Sequence, residues 1–216
     1  MLIELVDDLR CPRAHEETWL VASADRTEGR DIMQGTLGCP ICRAEYAIRD
    51  GVVWFGEPDH ADRSAPERVA SADAELAIRL AGFLDLSDAQ GLAVLVGSWG
   101  MVAPVLRDVV PTHLVVVNPS TPVRAGNGIS VLHVTGGIPL AVAACRGVAL
   151  DGAHADAAYR AAAVRALRPR GRLVAPASTP MPAGVTELAR DGCLWVADRD
   201  AAPPKMVPLQ TRGGPR

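Results

Sequence analysis

Two short segments carry side chains suited to holding a soft metal ion. Cys39-Pro40-Ile41-Cys42 is a C-x-x-C pair, and Cys11-Pro12-Arg13-Ala14-His15 sets an imidazole four positions after a thiol. Structural zinc takes four ligands in a tetrahedron, and two short loops supply them readily because each loop pre-orients a pair. The chain has five cysteines, an odd number, and a tight C-x-x-C in a reducing compartment points to metal before disulfide. The expectation is one zinc ion held by Cys11, His15, Cys39 and Cys42. The competing reading makes these cysteines small buried apolar residues and leaves His15 in water. Cys145 and Cys193 stand alone and read as core cysteines.

A second set of residues concerns a nucleotide-type ligand. Such a ligand needs glycines after a first strand, so that backbone can approach it, and an acid after the second strand to accept from ribose hydroxyls. Gly97 and Gly100 follow the apolar run LAVLV, but Ser98 and Trp99 fill the interval between them. Asn118, a neutral amide, ends the next apolar run, HLVVVN. It lacks the charge that strengthens a carboxylate's hydrogen bonds. Further on, Asp151, His154 and Asp156 could exchange protons with a substrate. The plainer reading makes Asp151-Gly152 a turn and sets Asp156 at a helix start, where its charge meets the helix dipole.

The elements that must position these residues follow from periodicity. Residues 46–55 form a strand-like run, and residues 57–71, EPDHADRSAPERVAS, are polar and aperiodic, which marks a linker. A helix is expected over residues 66–86. Strands are expected at 92–97, 113–118, 129–134, 147–152 and 171–176, with helices at 101–110 and 154–169. Continuous apolar strands alternating with helices imply a mostly parallel sheet covered on both faces. Residues 193–200 and 205–212 read as an antiparallel closing pair, with Pro208 in tension with a central strand. The resulting organisation is a first domain at 1–56, a linker at 57–71 and a second domain at 72–216.

The residues around the first set, LRCP and GTLGCPICRAEYAIRDGVVWF, resemble the small zinc-binding family that activates tRNA and protein methyltransferases. The resemblance runs through Gly35, Leu37, Tyr46, Ile48, Asp50 and Gly51, and spans residues 1–56. His15 stands where bacterial members commonly carry a cysteine. The second part resembles a class I methyltransferase domain through LAVLVGSWG, HLVVVNPS and ALRPRGRLVAP. Together these imply an α/β protein: a small zinc-binding α+β domain followed by a Rossmann-like, mostly parallel sheet with helices on both faces. They also imply an S-adenosylmethionine site at Gly97, Gly100 and Asn118. Because Trp99 and Asn118 alter two contact features together, the cofactor is expected to bind weakly or not at all, and no catalytic residue is assigned.

The formal net charge of −3 and the eight aromatic residues give no strong case for nucleic acid. The N-terminus carries neither a secretory signal nor a membrane span, so the expected location is cytoplasmic. The leading functional expectation is a degenerate methyltransferase-like binding or scaffold module with its zinc domain fused in cis. The alternatives are an active S-adenosylmethionine-dependent methyltransferase with a divergent loop, and a nucleotide or small-molecule binder. Since family members act by docking on a methyltransferase, the resemblance implies that the two domains pack on each other, with Val52, Val53, Trp54 and Phe55 as the candidate contact. A separate protein partner is a further expectation.

Overall fold

The apolar runs of the second part form the centre of a single sheet in the computed structural model, which describes residues 1–56, 74–87 and 91–201. The strands are β1 (Val21–Glu28), β2 (Asp31–Gly38), β3 (Glu45–Arg49), β4 (Val52–Trp54), β5 (Leu92–Val96), β6 (His113–Val117), β7 (Ile129–His133), β8 (Cys145–Ala149), β9 (Leu167–Pro176), β10 (Val185–Arg190) and β11 (Leu194–Arg199). Among the described residues they lie side by side in the order β1-β2-β3-β4-β7-β6-β5-β8-β9-β11-β10. From β4 to β9 neighbours are parallel, while β1 to β4 form an antiparallel meander and β11 runs against both β9 and β10. Counted from β5, the run β7-β6-β5-β8-β9 reads 3-2-1-4-5, the doubly wound order, so its direction reverses at β5.

Alternation along the central strands divides the core in two. Val94 and Val96 of β5 and Val115 and Val117 of β6 face one side, together with Tyr159 and Ala163 of α3 (Ala157–Ala166). Ala93, Leu95, Leu114 and Val116 face the other, against Ala77 and Leu80 of α1 (Ala74–Phe83) and Leu106 of α2 (Ala103–Val109). Every residue of β5 is buried, as a strand covered on both faces requires.

The first part joins this sheet through β4. Val52, Val53 and Trp54 pair with Val131, Leu132 and His133 of β7, and the Phe55 N–H donates to the His133 carbonyl at 2.8 Å. Residues 1–10 cross the face that α3 shares. Leu5 and Leu9 are buried there, Leu9 bridges to Leu140, and the Arg10 N–H donates to the Pro139 carbonyl at 2.9 Å. This segment fills space that a crossover helix between β7 and β8 would otherwise take, since residues 134–144 contain no helix.

Several sequence expectations need correction. Residues 46–55 form a hairpin rather than one strand, because Asp50 and Gly51 take left-handed backbone angles of 51° and 78°. The helix expected from 101 starts as a 3-10 segment, Gly97–Val102, and becomes α-helical only at Ala103. Strand β11 pairs with β9 and β10; residues 205–212, expected as its partner, lie outside the described residues, as do 57–73. Residues 185–190 gave no strand signal because five of the six are exposed and carry no apolar alternation. Within residues 1–56 the only helical element is the 3-10 segment Ile3–Asp7, so the α half of the expected α+β pattern is a single tight stretch.

Candidate metal centre and switch-point crevice

The C-x-x-C turn is shaped by its backbone. The Cys39 N–H donates to the Ala44 carbonyl at 2.9 Å, the Arg43 N–H to the Cys39 carbonyl at 3.0 Å, and Arg43 takes a φ of 57° to close the loop. The segment that follows Cys11 lies alongside, tied by the Cys11 N–H to the Thr18 carbonyl at 3.1 Å. The four ligand atoms of Cys11, His15, Cys39 and Cys42 all fall within 4.8 Å of one another.

The spacings suit zinc. Zn–S bonds of about 2.3 Å and Zn–N bonds of about 2.05 Å set tetrahedral edges of roughly 3.75 Å between sulfurs and 3.55 Å between sulfur and nitrogen. Cys11 Sγ and Cys42 Sγ are 3.7 Å apart, and Cys39 Sγ and His15 Nε2 are 3.5 Å apart. The His15 Nδ1–H donates to the Glu16 carbonyl at 2.6 Å, which leaves Nε2 as the free donor atom toward the thiols. Burial pushes the Cys39 thiol up, but the N–H groups of Cys42 and Ile41 outweigh it and lower the value to about 6. A thiol that ionises this readily is a ready ligand. Tyr46, 3.2 Å from Cys11 Sγ through its hydroxyl, has its phenol raised by burial and by that thiol. The donor set fits zinc, with three cysteine sulfurs and one oriented imidazole.

The switch point, where strand order reverses, lies at the carboxyl ends of β5, β6 and β8, and ligands of doubly wound folds bind in the crevice there. Here the loop after β5 bonds to the segment that follows β8. Gly97 has a φ of 64°, and a Cβ on it would run into the Asp151 carboxylate and stand 2.6 Å from His154 Nδ1. The Ser98 N–H donates to Asp151 Oδ2 at 2.7 Å, while the His154 N–H and the His154 Nδ1–H donate to Oδ1 at 2.9 and 2.8 Å. Partial burial pushes the Asp151 carboxyl up, and these donors more than reverse it, so it sits below the usual carboxylate range. The Trp99 indole N–H donates to the Leu150 carbonyl at 3.1 Å, tying the loop after β5 to the end of β8. A Cβ on Gly100 would meet Val116 at 2.8 Å and Pro119 at 3.0 Å. Both glycines therefore serve close internal packing.

Asn118 is likewise engaged. Its side-chain carbonyl accepts from the Val134 N–H at 2.8 Å, and its amide donates to the Val134 carbonyl and the Tyr159 hydroxyl, each at 2.9 Å. This bidentate clasp on the N–H and carbonyl of one residue, Val134, leaves the side-chain oxygen facing the backbone that follows β7. Asp156 caps α3, accepting from the Tyr159 N–H at 2.9 Å. Gly97 and Gly100 pack against neighbouring groups, Asp151 accepts from the Ser98 N–H of the loop, and the Asn118 side chain is engaged by Val134 and Tyr159. The Asp151 bond to Ser98, 53 residues away, carries no local sequence signal.

No family model matches the chain, and no curated protein matches it. Among solved structures it is similar to the antibiotic-resistance methyltransferase Kmr, at 13% identity over 58% of this chain and 93% of that one, with a TM-score of 0.41. It is also similar to a chain from a Haloferax volcanii complex of the Trm112 methyltransferase activator with a protein described as a methyltransferase, at 13% identity over 59% and 89% of the two chains, with a TM-score of 0.47. A third is MycE methyltransferase of mycinamycin biosynthesis, bound to Mg and SAH, at 11% identity over 59% and 46%, with a TM-score of 0.46. At these scores the likenesses add no weight beyond the strand order. Among the described residues, no helix is long and apolar enough to cross a membrane.

Proposed function

We propose that this chain is a non-catalytic binding module on a methyltransferase-like sheet, with a zinc-held N-terminal domain (1–56) docked in cis on the remainder through β4 and β7. Zinc at Cys11, His15, Cys39 and Cys42 supplies a cross-link between two loops of a domain whose own core is small. The observation that carries the non-catalytic reading is the Asp151 carboxylate seated against Gly97 and fixed by the Ser98 N–H. A cofactor would have to displace an ionised group from three N–H donors and break the Asn118 clasp on Val134. A charge-assisted hydrogen bond contributes about 1.5–3 kcal/mol, so opening such a crevice would absorb much of a cofactor's binding energy.

A thermal-shift series tests the reading. A ligand with a dissociation constant of about 10 μM, present at about 1 mM, stabilises a native protein by about 2.7 kcal/mol. Neither S-adenosylmethionine nor S-adenosylhomocysteine at that concentration should move the midpoint of the zinc-replete chain. A rise of several degrees would restore the enzyme reading.

A further inference from the structure

The connection between β9 and β10, residues 177–184, contains no helix, so the flank of α3 beside it is left uncovered. An open cleft of about 590 Å³ lies there, within the size range of small-molecule sites. Its apolar floor includes Ala161, Val164 and Pro182, and three arginines, Arg160, Arg165 and Arg199, line it. Nothing in the metal centre or the switch-point crevice uses these residues.

The arginines are held chiefly by neutral acceptors. Arg160 donates from Nε to the Asp156 carbonyl at 3.2 Å and from one terminal nitrogen to the Pro180 carbonyl at 2.6 Å. Arg199 donates to the carbonyls of Arg165 and Leu167. Arg165 donates to the Ile138 carbonyl and to Glu17, both at 3.1 Å. Among the described residues, Glu17 is the one carboxylate paired with any of the three, and it also pairs with Arg10. Backbone carbonyls fix a guanidinium's position without cancelling its charge. Three positive charges therefore face one negative charge, on a chain whose overall net charge is −3. Each guanidinium spends two of its five N–H groups on these bonds, leaving donors for a ligand.

We infer that this cleft binds a small organic phosphate, its anionic group held by Arg160, Arg165 and Arg199 and its apolar part lying on Ala161, Val164 and Pro182. Phosphate suits the site better than carboxylate because it brings up to two negative charges and three acceptor oxygens to three separate cations. Along α3, Arg160 and Arg165 are about 7.5 Å apart in axial rise and about 140° apart around the helix, so a ligand held by both lies in the cleft that both line and draws the two long side chains toward each other.

Calorimetric titration of the full, zinc-replete chain with phenyl phosphate at low salt tests this. Saturable binding is expected with a dissociation constant below about 1 mM, at least about fivefold tighter than inorganic phosphate because of the apolar floor. Arg160→Gln should weaken phenyl phosphate by about tenfold through the loss of a charge-assisted bond. Glu17→Gln removes the competing anion from Arg165 and should tighten binding by about two- to threefold, an effect that a purely structural role for these residues would not produce. Absence of saturation up to about 10 mM would overturn the proposal, as would two variants that both keep the wild-type affinity, or binding seen only with a single-stranded oligonucleotide.

Discussion

Cys39 Sγ and His15 Nε2, 3.5 Å apart, would form one edge of a metal tetrahedron, but the two groups are not equivalent. Cys39 is buried and its thiolate is favoured by two backbone donors, whereas His15 is only half-buried. Cys39→Ser should abolish stoichiometric zinc in elemental analysis; His15→Ala should retain the metal more weakly, by at least about tenfold, with water able to take the fourth position. Equal retention by both variants would remove His15 from the ligand set. Asp151 offers a pH test. Its folded-state carboxyl lies below the unfolded value of 3.8, so the stabilisation from its N–H donors is fully present above that value and is lost as pH falls through the folded value. Asp151→Asn should cost about 1–3 kcal/mol near neutral pH, and its difference from wild type should shrink below about pH 4. A difference that is constant down to acid would show that the charge of Asp151 contributes nothing.

The loop Gly97–Val102 illustrates how far the chain could be read in advance. Its glycines were recognisable as a ligand-loop remnant, and Trp99 and Asn118 as departures from such a loop, because residue type alone carries that information. The contacts of Ser98 and Asn118 were not legible, because Asp151 and Val134 follow other strands, β8 and β7, and their meeting depends on the sheet order. The Cys11, His15, Cys39 and Cys42 cluster was legible for the opposite reason: two short loops hold it, and spacing within a loop is local. Strands β1 and β10 were missed because both are exposed edges with little apolar alternation. Each edge carries charges and a bulge, between Ala24 and Arg26 in β1 and between Glu187 and Ala189 in β10, which discourages pairing with another chain. Gly100→Ala tests the closed loop directly. The added methyl would press on Val116 and Pro119 and should destabilise the chain by about 1–3 kcal/mol in denaturant unfolding. A neutral effect would mean that the loop has room for a ligand.

One sheet runs from β1 to β10, so the two parts of the molecule share backbone hydrogen bonds as well as buried side chains. Val53 is fully buried in β4 at the junction, a burial that contributes about 1.5–3 kcal/mol. Expressed apart, residues 1–60 and 61–216 would leave β4 and β7 as bare edges, and the fragments should associate on mixing or precipitate singly. Two stable fragments that ignore each other in a titration would refute docking in cis. The closed crevice is the more consequential claim, and calorimetric titration of the zinc-replete chain with S-adenosylhomocysteine meets it most directly. The expected result is no saturable heat up to about 1 mM, while one-to-one binding with a dissociation constant below about 100 μM would contradict a crevice filled by Asp151 and Asn118.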